Sequence, residues 1–209
     1  PTVTTIYTVT GTNSFGCTNK ATVTVSVNSL PSISAGSNVT RCAGVSAVLT
    51  GTGGVSYNWT ANPTLSCTAC TSTNATPTVT TTYTVTGTGA NGCTNTATVT
   101  VSVNPFPTVS AGSGVNICTG GSTVLTATGA SSYTWSPSTG LSCTNCASPT
   151  STTAGTRTYT VTGTAANGCA ATATVTVTVN PLPDVNAGSS VAICSGTSTT
   201  LSALGASTY

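Results

Sequence analysis

The sequence predicts an all-β chain of tandem β-sandwich domains, and three observations lead there. The text repeats with a 76-residue period and no insertion or deletion: Cys17, Cys93 and Cys169 keep that spacing, as do Cys42, Cys118 and Cys194, Tyr7, Tyr83 and Tyr159, and the pair Trp59 and Trp135. A fixed period of this length marks an array of units that fold alike. Val and Thr alternate over long runs, the period of two that puts one strand face in a core and the other in water. Turn residues punctuate the chain every 8–12 positions, as in a sandwich of about seven short strands.

The period divides the chain into four segments: a closing part of a unit at 1–28, whole units at 29–104 and 105–180, and an opening part at 181–209. Residues 1–28 and 77–104 differ only at Ile6/Thr82, Asn13/Gly89, Ser14/Ala90, Phe15/Asn91 and Lys20/Thr96. A chain that starts and stops inside a unit is expected to be a stretch of a longer array.

Within 105–180, Asn104-Pro105-Phe106-Pro107 opens the unit as a short, stiff boundary, because proline cannot donate to a ladder. Thr108–Ser110, the Ala111-Gly112 break and Val115–Cys118 suggest a first strand kinked between two sheets. Thr119-Gly120-Gly121 is a turn, Val124–Thr128 a second strand, and Tyr133-Thr134-Trp135 a third with both aromatics on one face. Short strands fit within Ala147–Thr152. Thr158–Thr164 and Ala171–Val179 are long strands joined by Ala165-Ala166-Asn167-Gly168, and Asn-Gly between alternating runs is a strong hairpin signal. In the last strand Ala173, Val175, Val177 and Val179 share the packed face. Trp135 and Tyr159 are the expected core of this unit, and Trp59 and Tyr83 of the one before it. No stretch has helical spacing.

The run from Tyr159-Thr-Val-Thr-Gly through Ala166-Asn167-Gly168-Cys169 to Ala173-Thr-Val-Thr-Val-Thr-Val-Asn180-Pro181 resembles the end of PKD-like, immunoglobulin-like repeats. Such repeats occur in large surface and secreted proteins of gliding bacteria. Ile117-Cys118-x-Gly, Leu125-Thr-Ala and Tyr133-Thr-Trp135-Ser-Pro137 fit the same repeats, and the resemblance covers the whole chain. It implies tandem immunoglobulin-like sandwiches that space other domains, form adhesins or build fibres. It implies no catalytic or ligand-binding residue.

Composition narrows the setting. Lys20, Arg41, Arg157 and Asp184 are the only charged side chains, and the net charge is +2. Nucleic acid is therefore a poor partner. A spanning helix needs about 20 consecutive apolar residues, and Thr or Ser breaks every Val run, so no membrane span is expected. Thr supplies about a quarter of all residues, far above ordinary usage. It is a good strand former, and its hydroxyls also suit O-glycosylation. Asn38, Asn58 and Asn74 begin Asn-x-Thr triplets and are candidate N-glycosylation sites.

Ten cysteines without catalytic partners indicate an oxidising, extracellular or cell-surface compartment. Each whole unit has one ahead of its second strand (Cys42, Cys118), a Cys-x-x-Cys (Cys67 and Cys70; Cys143 and Cys146) and one in its last hairpin (Cys93, Cys169). A redox Cys-x-x-Cys needs a helix start to lower the thiol pKa, and none is predicted. A four-thiolate zinc site needs two close pairs, whereas the second pair here is dispersed. Structural disulfides remain, with each Cys-x-x-Cys closed on itself as the first choice. In an immunoglobulin-like topology Cys118 and Cys169 lie at opposite ends of the sandwich. Stacked units would instead let Cys42 reach Cys169 and lock neighbours covalently. A bond from one Cys-x-x-Cys sulfur to another cysteine of its own unit is the alternative.

An enzyme is not expected, since the chain has no His, no Glu, one Asp and no phosphate loop, which leaves no general acid–base pair. Calcium bridging needs carboxylates, so neither metal nor cofactor is expected. The leading expectation is a structural segment of an extracellular bacterial fibre or cell-surface stalk. Its partners would be further repeats of the same chain or other copies in a filament, with covalent glycans on its surface. An adhesin that binds glycans or surfaces is the alternative.

Overall fold

The computed structural model describes residues 1–208. The chain forms two compact units, Pro1–Pro105 and Phe106–Tyr209, and every regular element among the described residues is a strand. The first unit holds β1 (Thr5–Thr12), β2 (Thr18–Val25), β3 (Val39–Cys42), β4 (Ala47–Thr50), β5 (Ser56–Trp59), β6 (Ser72–Ala75), β7 (Thr81–Thr88) and β8 (Thr94–Asn104). The second holds β9 (Val115–Cys118), β10 (Thr123–Val124), β11 (Ser132–Ser136), β12 (Thr150–Ser151), β13 (Arg157–Thr164) and β14 (Ala170–Asn180).

In the second unit β11, β13, β14 and β9 form a four-stranded sheet in that order, and β10 pairs with β12. In the first unit β5, β7, β8 and β3 form the equivalent sheet, and β4 pairs with β6. The register repeats with the sequence: Tyr83 lies opposite Val99 and Tyr159 opposite Val175. Trp59 opposite Val85 likewise matches Trp135 opposite Val161. Identical alternation selects identical pairing, because a slip of one residue would turn every Val outward.

The core of each unit lies between its four-stranded sheet and the β4–β6 or β10–β12 pair. In the first it comprises Leu49, Trp59, Ala75, Tyr83, Val85, Val99 and Val101, and in the second Leu125, Trp135, Tyr159, Val161, Val175 and Val177 are the larger members. Removing one such aliphatic side chain from water contributes about 1.5–3 kcal/mol. The Thr residues between these Val positions face outward. There Thr82 and Thr100 meet through their hydroxyls at 2.9 Å, as do Thr158 and Thr176.

The first strand switches sheets as its glycine break suggests. Ser110 bridges Thr128, the chain turns at Gly112 (φ +75°), and β9 then runs parallel to β14. The second strand is shorter than the expected Val124–Thr128, since only Thr123–Val124 forms a ladder. Pro149 stands opposite Leu125, where the first unit has Thr73 opposite Leu49. Proline accepts the bond from the Leu125 amide at 2.9 Å but has no N–H to return it. The final hairpin also departs from the two-residue turn that Asn-Gly often signals. Gly168 has φ +83° while no non-glycine residue among those described has positive φ, so Asn167 cannot form a type I′ turn. The Ala165 amide instead donates to Cys169 and the Gly168 amide to Ala165.

The hairpin of β1 and β2 keeps the same register but stands as a two-stranded sheet. Tyr7 is therefore 48 % exposed, while its counterparts Tyr83 and Tyr159 are 2 % and 0 % exposed. Residues 181–208 carry one isolated bridge, Asn186 to Leu204, the counterpart of Ser110 to Thr128.

Candidate functional site

The cysteines, the tryptophans that touch them and the hydroxyl-rich outer faces are the candidates for function. Each Cys-x-x-Cys is a closed disulfide, Cys67 to Cys70 with Cα atoms 6.3 Å apart and Cys143 to Cys146 with 6.1 Å. Neither loop is a free bulge. The Trp135 backbone amide donates to the Thr144 carbonyl at 2.8 Å, and its indole Nε1 donates to the Cys146 carbonyl at 3.0 Å. Trp59 makes the same two bonds, to Thr68 at 2.8 Å and to Cys70 at 3.1 Å. The buried ring thus ends in a satisfied polar edge, as a buried indole requires. The disulfide loop that supplies the acceptor is anchored in turn by the Ser142 amide, which donates to the Thr150 carbonyl at 2.9 Å.

The tyrosines sit beside this loop. Tyr159, buried at the start of β13, donates from its hydroxyl to the Thr139 carbonyl at 3.0 Å and accepts from the Ser151 hydroxyl at 3.2 Å. In the first unit the Tyr83 hydroxyl meets that of Thr64. A tyrosine that ties the start of this strand back to backbone upstream is a corner feature of immunoglobulin sandwiches. In antibody domains the second core cysteine follows two residues later; here Val161 and Val85 occupy that place and are fully buried. Aliphatic packing of Leu125 and Val161 against Trp135 takes over from a core disulfide.

The remaining cysteines divide by state. Cys42 and Cys169 are disulfide-bonded, while Cys17, Cys93, Cys118 and Cys194 are free thiols. The expected bonds at Cys93 and Cys118 are not formed here, and the strand register bears only on pairing within a unit. Cys118 lies opposite Asn180, the last residue of β14, while Cys169 directly precedes Ala170, its first. Eleven residues at about 3.3 Å each put about 35 Å between these positions, and a disulfide needs Cα atoms within about 7 Å. Cys42 opposite Asn104 and Cys93 before Thr94 stand in the same relation. Own-unit pairing of these two cysteine types is thus excluded in both units.

Asn38, Asn58 and Asn74 are all exposed. Asn58 lies on β5, an edge strand, and Asn74 on β6. The Asn38 Oδ1 accepts from the Thr100 amide at 2.8 Å, which leaves its Nδ2 directed elsewhere. Among the described residues no group of three or more His, Cys, Asp or Glu is placed to hold a metal ion. Among the same residues no helix is long and apolar enough to cross a membrane.

One element went unread at the sequence level. Gly53 and Gly129 have φ of +87° and +91°, and a Cβ at either would stand 1.9 or 1.8 Å from the carbonyl oxygen of Ser32 or Thr108. Gly205 repeats the arrangement against Asp184. The signal was available as a glycine at the same place in three repeats.

Together, paired antiparallel sheets, a parallel first strand on the last one, a tryptophan core and a tyrosine corner define the class. The chain is an all-β protein of tandem immunoglobulin-like β-sandwich domains. No known protein family and no curated protein matches it. Solved structures that it resembles include the insect immune protein hemolin, at 16% identity and a TM-score of 0.40 over 84% of this chain and 56% of that one. Others are a two-domain fragment of DIP-gamma, at 14% identity and 0.36 over 68% of this chain and 93% of that one, and titin domains I67–I69, at 13% and 0.34 over 70% and 64%. Resemblances this distant carry no argument about function, which rests on the chain's own residues.

Proposed function

We propose that this chain is a structural segment of an extracellular bacterial fibre or cell-surface stalk, without catalysis, built from PKD-like repeats. One observation carries the reading: strand register, Trp core and disulfide loop recur at the 76-residue period, while the outward positions are nearly uncharged hydroxyls. Repetition of the whole unit, with no position set aside as a divergent site, suits a part that bears length rather than one that recognises a substrate. Closed disulfides in two loops, with Cys42 and Cys169 bonded as well, suit an oxidising exterior.

Electron microscopy of the protein as released from its cells tests the reading. Filaments or stalks with an axial repeat of about 35–45 Å are expected, from seven-to-nine-residue strands plus turns. Compact monodisperse particles would overturn it.

An adhesin has one residue in its favour. Phe15, at the tip of the first hairpin, is 90 % exposed, and Asn91 and Asn167 stand at its counterparts. Glycan-array binding that disappears in Phe15→Asn would shift the assignment to that reading.

A further inference from the structure

Each segment that opens a repeat carries one large apolar side chain with proline directly after it: Leu30-Pro31, Phe106-Pro107 and Leu182-Pro183. The apolar residue varies between repeats and the proline does not. These side chains are not core, since Leu30, Phe106 and Leu182 are 64 %, 48 % and 63 % exposed. None of residues 29–31, 105–107 and 181–183 lies in a strand or carries a charge. An exposed, unpaired connector is where proteases ordinarily nick a chain.

Serine endoproteases choose a bond by the side chain before it. Trypsin-type enzymes take Lys or Arg into an acidic slot, and chymotrypsin-type enzymes take large apolar residues into a hydrophobic one. By that rule Leu30, Phe106 and Leu182 would be open cut sites. The residue after the cut must leave as an amine, protonated by the protease's histidine. A proline nitrogen is tied into a ring at fixed φ and has no N–H, so the ring obstructs that step and the bond is spared.

Inside the repeats the ladders give the protection instead. Arg41 in β3 and Arg157 in β13 are the only basic residues of 29–180. Every Tyr and Trp of that stretch lies in a strand, and Leu65, Leu125 and Leu141 pack on the two cores. A paired strand must open locally before a protease can bind it. The first hairpin shows the contrast, because Phe15 is 90 % exposed and Gly16 follows it.

We infer that Pro31, Pro107 and Pro183 guard the connectors against chymotrypsin-type endoproteases and so keep successive repeats joined where such enzymes are present. The inference stands apart from the fibre reading, since an adhesin array needs the same protection.

The test digests the 209-residue chain with chymotrypsin and reads the fragments on a reducing denaturing gel and by mass spectrometry. In the native chain a cut after Phe15 is expected, with residues 29–180 left as one piece. In urea with reductant, cuts should appear after Tyr83, Trp135 and Tyr159, while the bonds after Leu30 and Phe106 stay whole. Native Pro107→Ala should lose the 29–180 piece to a single cut after Phe106, a hydrolysis that takes up one water and leaves each repeat resistant. Pro31→Ala should open the bond after Leu30 in the same way, and it keeps the carbonyl that accepts from the Asn95 Nδ2 at 3.0 Å. This second variant covers a folding defect in the first. Adding Phe106→Ser to Pro107→Ala should restore resistance. Cleavage of the native unsubstituted chain after Leu30 or Phe106 would overturn the inference. Native Pro107→Ala and Pro31→Ala chains that stay uncut at their connectors would do the same, by showing that the fold rather than the proline is the guard.

Discussion

The indole of Trp135 donates to the backbone carbonyl of Cys146 at 3.0 Å, so the largest core side chain holds the end of a disulfide loop. Trp59 and Cys70 repeat the relationship at 3.1 Å. Core packing and the covalent loop are therefore coupled, and each supports the other's position.

Replacing Trp135 by Ala should destabilise the second unit by about 3–5 kcal/mol through the lost ring and the cavity. Trp135→Phe keeps most of the bulk but leaves the Cys146 carbonyl without its donor, at a cost of about 1–3 kcal/mol. Denaturant unfolding followed by near-UV circular dichroism would separate the two. A loss under 1 kcal/mol for Trp135→Ala would refute its place in the core.

The paired change Cys143→Ser with Cys146→Ser opens the loop. Its closure entropy alone amounts to about 2 kcal/mol for so few residues. The same variants combined with Trp135→Phe should fall short of additivity, because both changes act on one contact. Strict additivity in a double-mutant cycle would show that the two features are independent.

Gly129→Ala should destabilise by at least about 2 kcal/mol, since the residue has φ +91° and its new Cβ would stand 1.8 Å from the Thr108 carbonyl oxygen. Gly155→Ala is the control: nothing lies within 4 Å of its Cβ position and its φ is not positive, so an effect within about 0.5 kcal/mol is expected. Thermal melts of both variants check the contrast.

Peptides of this sequence in protein from its natural source should exceed their bare masses by the mass of attached sugar, on exposed Thr and Ser or on Asn38, Asn58 and Asn74. Sugar on the Asn38 Nδ2 leaves the Oδ1 bond to Thr100 in place, so modification there is compatible with the fold. Peptide mass before and after glycan removal is the measurement, and peptides of unmodified mass throughout would refute the expectation.

The face of the first hairpin should drive association. Tyr7, Val9 and Val23 are 48 %, 66 % and 61 % exposed, while Tyr83, Val85 and Val99 are 2 % or less. An uncovered apolar strand pair invites docking or edge pairing. Val9→Thr with Val23→Thr should lower the apparent mass of the chain in reducing buffer, by light scattering, relative to the unsubstituted chain. An unchanged monomer in both would exclude this face as a contact.

Much of this architecture was legible in the chain before any coordinates. The alternation of Val and Thr in Ala170–Asn180 determines which face is buried, because a strand's side chains have a period of two. The 76-residue spacing determines that the units share one register. A Cys-x-x-Cys brings its own sulfurs together locally, so its closure needs little from the rest of the fold. Other features depended on partners distant in sequence. Pro149 shortens β10 only because it lies opposite Leu125, and Gly129 must be glycine only because Thr108 lies against it. The separation of Cys118 from Cys169 follows from the parallel pairing of β9 with the far end of β14. Local pattern sets each strand's faces and turns, whereas which residues meet is settled by strand order and register, which emerge only when the two sheets enclose a common core.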